Sequence, residues 1–181
     1  MRQYIYIHQV FHYIFILPIH KIQNKLNVFI KFIPIKWQLI LMNDGSFTQN
    51  LYYIHNIPID IQICQKKNYE LNTSYRNIRC IWLKNCLYTK LIFARSLWQF
   101  SNLDLLNNHI LKEKPVGLSL IKAKLDIYKE FHEIYYGYCQ LLEKKLKTYQ
   151  PIWGRKYTIY YYSNAYATIQ EFFSPDIISF F

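Results

Sequence analysis

The chain has 181 residues, enough for one domain with a real core, which at this size removes roughly 70% of the unfolded surface from water. A hydrophobic content of 52% excludes a disordered chain, and only 4 glycines argue against a Gly-rich phosphate loop. The net charge of +11 favours an anionic partner, but without zinc-finger spacing, an RNP-like stretch or a basic helix it does not indicate nucleic acid.

The cysteines at 64, 80, 86 and 139 form no C-x-x-C pair, and the six histidines form no ligand motif. Neither a structural disulfide nor a metal site is expected; buried free thiols in a reducing compartment are. Ile, Lys, Asn, Tyr and Phe are together in excess. Codons rich in A and T spell them, so the aromatics and lysines partly reflect the base composition of an organellar or reduced genome.

Residues 1–35 are basic ahead of the first acidic residue, Asp44. The apolar run from Tyr4 to Ile19 is interrupted by His8, Gln9, His12 and Pro18, too short and broken for a spanning helix. It also lacks the apolar core and cleavage site of a secretory signal. An N-terminal extension packed on the domain as an extra helix or strand is expected, with contact to a membrane surface the lesser alternative. The domain proper is expected over 36–181.

Trp37 to Met42 is an apolar run that stops at the turn cluster Asn43-Asp44-Gly45-Ser46. Thr48 to Ile54 suits a short helix, broken at Ile57-Pro58. Ile59, Ile61 and Ile63 alternate with Asp60 and Gln62, the period of a half-buried strand. Residues 65–76 are polar and read as a loop. Ile78 to Leu83 is apolar on both faces apart from Arg79 and reads as a central strand, forming a hairpin with Leu91 to Trp98. Leu103 to Leu111 suits a helix, and Lys114-Pro115-Val116-Gly117 a turn. Tyr128, Phe131, Tyr135, Tyr138 and Leu142 recur at spacings of three and four, which predicts a helix over about 124–147 with a core-facing stripe. Lys156 to Tyr162 and Tyr166 to Phe173 read as a C-terminal hairpin, closed by Ser174-Pro175.

Two charges fall on apolar strand faces. Glu171 shares a face with Ala167, Ile169 and Phe173, and Arg79 with Ile81 and Leu83. A lone buried charge is costly, so each needs a partner or a wet cavity. Either they pair with each other, or they line a pocket in which Arg79 grips a carboxylate with two parallel bonds and Glu171 faces a hydroxyl or a moving proton. Arg155, after Gly154, is either a second anion contact or a surface residue.

At these residues the chain resembles the chorismate pyruvate-lyase family, most closely its branch of cyanobacterial proteins and plastid-encoded reading frames of algae. The likeness runs from about Trp37 to Pro175. It rests on Asp44-Gly45-Ser46-Phe47-Thr48, Arg79 in its apolar strand, Phe93-Ala94-Arg95-Ser96, Pro115-Val116-Gly117, Trp153-Gly154-Arg155-Lys156-Tyr157 and Glu171-Phe172-Phe173-Ser174-Pro175, in that order. The resemblance implies an α+β fold, a mostly antiparallel sheet with packed helices around an enclosed ligand pocket. It implies cofactor-free conversion of chorismate to 4-hydroxybenzoate and pyruvate, with Arg79 on the ring carboxylate, Glu171 at the hydroxyl, and Phe47, Val116 and Gly117 bordering the ligand. Arg155 would meet the pyruvyl end. The branch implies a plastid stroma, the protein being made inside the organelle. The alternative is a non-catalytic module of the same fold that binds an aromatic acid.

Overall fold

The computed structural model describes residues 4, 6–19, 30–55, 59–71, 74–85, 89–100, 127–161 and 164–181. Seven strands form one antiparallel sheet: β1 (His12–Pro18), β2 (Asp60–Leu71), β3 (Ser74–Lys84), β4 (Lys90–Phe100), β5 (Ile127–Tyr138), β6 (Ile152–Tyr161) and β7 (Asn164–Phe173). Their order across the sheet is β1-β5-β6-β7-β4-β3-β2. Helices α1 (Ile35–Leu41) and α2 (Phe47–His55) and a C-terminal 3-10 helix (Pro175–Phe180) cover one face. Helix α3 (Gln140–Leu146), with Ile7 and Phe11 of the N-terminal segment, covers the other. The fold is α+β with a mostly antiparallel sheet, as expected.

The C-terminal hairpin is β6–β7, and β3–β4 is the hairpin expected at 78–98. β3 is an interior strand flanked by β2 and β4, and it is buried on both faces over 78–83 because Ile81 and Leu83 belong to the core under α1 and α2 while Ile78, Cys80 and Trp82 belong to the core under α3. α2 forms where a helix is expected, burying Phe47 and Leu51 one turn apart. α1 buries Trp37, Ile40 and Leu41. Within the N-terminal segment, β1 pairs with β5 at the sheet edge. Among the described residues no helix is long and apolar enough to cross a membrane. The readings at 57–58, 103–111 and 114–117 lie outside the described residues.

Two expectations are corrected. Residues 65–71 and 74–76 are not a loop: β2 runs on to Leu71 and β3 starts at Ser74, in register from Gln65↔Cys80 to Leu71↔Ser74. Backbone pairing along a long hairpin needs no apolar alternation, so polar strand arms escape a reading based on hydrophobic period. The helix over 124–147 is also wrong. Residues 127–138 are strand β5, and helix starts only at Gln140. The register slips between Phe131 and Glu133, so a bulge interrupts the alternation. Phe131 and Ile134, three apart, therefore share a face, while Tyr135 turns to the other. A bulged strand thus imitates helical spacing. Bonding to β1 on one side and β6 on the other settles the segment as strand.

Candidate functional site

The antiparallel register places residues of one face in rows running across the sheet. One row reads Ile134, Arg155, Glu171, Ala94, Ile81 from β5 to β3; the next reads Phe131, Tyr157, Ile169, Ser96, Arg79. Glu171 and Arg79 thus face the same side, in adjacent rows, with β4 between their strands. Both are buried, at 8% and 5% exposure, as their apolar strand neighbours require.

The ion pair of Glu171 is made with its register partner. Arg155 Nε donates to Glu171 Oε2 at 2.7 Å, and Tyr157 Oη donates to Glu171 Oε1 at 3.2 Å. Periodicity identifies charges on apolar faces but not which strands are neighbours, so the pairing considered between Arg79 and Glu171 gives way to Arg155–Glu171. Nor is Arg155 a surface residue: it is 1% exposed. Its Nη1 donates to the carbonyls of Ile40, Leu41 and Asn43 at 3.0, 3.1 and 2.9 Å. These lie at the C-terminus of α1, where unpaired carbonyls and the helix dipole both favour a cation. The guanidinium also lies 5.3 Å from the ring centre of Tyr157 and 5.6 Å from those of Phe131 and Phe173. Arg155 therefore ties helix to sheet and holds Glu171 in place.

Gly154 makes room for this arrangement. A Cβ there would meet the Tyr135 ring and come within 2.7 Å of the Glu171 carbonyl. The ring instead crosses the glycine, and its hydroxyl donates to the carbonyls of Arg155 at 3.0 Å and Glu171 at 3.4 Å. Burial, more than the nearby negative charges, holds the phenols of Tyr135 and Tyr157 well above their usual pKa, so both remain donors.

At the Arg79 end, Ser96 Oγ donates to the Arg79 carbonyl at 3.3 Å and accepts from Trp98 Nε1 at 2.8 Å. Phe47, at the start of α2, is buried over the other end of the face, edge-on to Phe173 at 5.5 Å. Val116 and Gly117 lie outside the described residues. A separate hollow of about 550 Å³ beside α1 is lined by Ile30, Ile35, Gln38, Leu39 and Met42 and includes none of these charged groups.

Lys129 is a site residue that the sequence reading passed over. In β5 it stands opposite Ile159, on the same sheet face. Its Nζ donates to the Gly45 carbonyl at 2.8 Å and lies 5.1 Å from the centre of the Tyr157 ring. Burial first, and the positive charge of Arg155 second, lower its pKa to about 8. A strand reading of 127–131 would have placed Lys129 between Ile127 and Phe131 on an apolar face. Among the described residues no group of three or more His, Cys, Asp or Glu is placed to hold a metal ion. Burial pushes the thiol of Cys80 up to about 12 and that of Cys64 to about 11.

Two solved structures share the architecture. The effector domain of PhnF from Mycobacterium smegmatis matches with TM-score 0.58 at 8% identity, over 75% of this chain and 92% of that one. A putative GntR-family transcriptional regulator matches with TM-score 0.51 at 8% identity, over 75% of this chain and 62% of that one. By sequence, the uncharacterized protein ycf21 of Antithamnion sp. is 43% identical over 173 residues, covering 90% of this chain and 92% of its own. The ycf21 protein of Porphyra purpurea is 34% identical over 152 residues, covering 82% and 86%. The family model for chorismate pyruvate-lyase Rv2949c-like proteins matches residues 41–181, and the chain belongs to that family.

Proposed function

We propose that the protein is a cofactor-free lyase that converts chorismate to 4-hydroxybenzoate and pyruvate. The observation that carries this reading is the placement of Arg79 and Glu171, both buried on one apolar sheet face, in a chain of this family. Chorismate has a ring carboxylate, a ring hydroxyl and an enolpyruvyl ether bearing a second carboxylate. Arg79 grips the ring carboxylate with two parallel charge-assisted bonds. Glu171, held by Arg155 and Tyr157, accepts from the hydroxyl. Phe47, Val116 and Gly117 border the ligand in a pocket enclosed against this face, and the net charge of +11 favours capture of a dianion.

In the reaction the ring carbon bearing the hydroxyl loses its proton. The electron pair of that C–H bond completes the aromatic sextet, and the ether C–O bond breaks. Its electrons leave on the enol oxygen, which takes up a proton, and the enol tautomerises to pyruvate. Aromatisation drives the step. The protein's task is to hold the ether arm in a reactive pose and to stabilise charge on the leaving oxygen. The algal ycf21 relatives and the organellar composition support a plastid location, with the stroma as the compartment.

A second reading is a non-catalytic aromatic-acid-binding module; the effector domain of PhnF shares the fold and favours it. Incubating the purified protein with chorismate and following 4-hydroxybenzoate and pyruvate together separates the two. Equimolar products support the lyase. Tight binding of 4-hydroxybenzoate without turnover supports the module, and neither result sinks both.

A further inference from the structure

A dianionic ligand on this face needs a second cation, and Arg155 is poorly suited to be it. Its charge is matched by Glu171, and its Nη1 is shared among three carbonyls of the α1 terminus. Resting on the aromatic-acid reading above, we infer that Lys129 forms a second anion subsite, which receives the carboxylate on the ligand's side arm.

The placement of Lys129 supports this. Among the described residues of the four rows that run from Trp153 to Ile159 on β6, the one carboxylate is Glu171, which is already paired with Arg155, and Lys129 stands on this same face. An ammonium on a largely apolar sheet face, bonded to a backbone carbonyl and lying over an aromatic ring, attracts an anion. Lys129 stands on β5 and Arg79 on β3, with Glu171 on β7 midway between them in the strand order. At a strand spacing of about 4.8 Å, their backbones lie roughly 19 Å apart. An aromatic ring with a carboxylate-bearing arm is of the length to bridge two long cationic side chains rooted at that separation. The order cation, carboxylate, cation matches ring carboxylate, hydroxyl and arm carboxylate. An ammonium carries three donors, and the Gly45 carbonyl takes one. That bond also ties the site to the loop between α1 and α2, which Arg155 holds through Asn43.

The bland alternative is that Lys129 only staples this loop. Calorimetric titration with two probes that both keep the ring hydroxyl decides, 4-hydroxybenzoate with one carboxylate and 3-(carboxymethoxy)-4-hydroxybenzoate with a second one on an ether arm. The wild type should prefer the dicarboxylate. Lys129→Met should lose about tenfold or more of its affinity for the dicarboxylate, the scale of one charge-assisted bond, and keep its affinity for 4-hydroxybenzoate. Lys129→Arg should retain the preference. Equal loss for both probes, no loss, or no wild-type preference overturns the subsite alone. Failure of the wild type to bind either probe overturns the aromatic-acid reading and the subsite with it. If Lys129→Met does not fold, the wild-type preference is followed from about pH 7 to 9.5, through the lysine's titration. The groups facing Lys129 are Arg155, Tyr157 and Glu171 from the sheet and Asp44 from the loop. Tyr157 keeps its proton over this range because it is buried. A preference that falls as the ammonium discharges supports the subsite, and a constant one overturns it.

Discussion

The Arg155–Glu171 pair makes a strong prediction because it joins the sheet to a helix and sits under the site. Arg155→Met leaves the Glu171 carboxylate buried at 8% exposure and removes the donor shared by Ile40, Leu41 and Asn43. Breaking one side of a buried pair typically costs about 3–5 kcal/mol. Glu171→Gln keeps the shape and an acceptor oxygen but leaves the guanidinium without a counter-charge. Two unit charges about 4 Å apart at an effective dielectric near 20 attract by about 4 kcal/mol, of which the amide dipole restores a part. A loss of about 2–3 kcal/mol is therefore expected. The double variant buries neither charge and should be less destabilised than the sum by about 2 kcal/mol, while still lacking the cap on α1. Urea unfolding of the four proteins reads this coupling from the midpoints and slopes. Additivity within about 0.5 kcal/mol would falsify the pair as an energetic unit.

If Arg79 holds a desolvated carboxylate, Arg79→Ala should weaken 4-hydroxybenzoate binding by about 2–5 kcal/mol, and Arg79→Lys should also weaken it. Unchanged binding alongside a lower melting temperature would assign Arg79 a purely structural role. Gly154→Ala pushes a methyl against the Tyr135 ring and the Glu171 carbonyl, and should cost about 1–3 kcal/mol in chemical unfolding; a neutral result would contradict the close approach. For Lys129 the folded pKa lies near 8, against 10.5 unperturbed. Between those values the unfolded chain holds a proton that the folded one has shed. Stability should therefore rise with pH over this window, after subtraction of the same curve for Lys129→Met. A difference curve that is flat or falls through the window would refute the burial of the ammonium.

Much of this architecture is legible in the sequence because its cues are local. Apolar, β-rich runs mark β3, β4, β6 and β7, in which side chains alternate between the two faces, and Ser174-Pro175 marks where the last strand must stop, with Ser174 capping the 3-10 helix that follows. The same alternation exposes Arg79 and Glu171 as charges on apolar faces, since a period of two needs no knowledge of neighbours. The ordered motifs from Asp44 to Pro175 point to the family, which the match over residues 41–181 bears out.

Only the tertiary structure decides the rest, because the deciding contacts are between residues distant in sequence. Glu171 meets Arg155 because β6 and β7 are neighbours in a register that places the two side by side. No property of either residue alone selects Arg155 over Arg79. Arg155 reaches carbonyls more than 100 positions away, and that contact exists only once α1 packs on the sheet. β5 is a strand because β1 and β6 take up its backbone groups on both sides, and its bulge disguises the period that would have shown this. Lys129 was overlooked for the same reason: its position on the site face follows from the pairing of β5 with β6, and a helical reading of that segment sends it elsewhere.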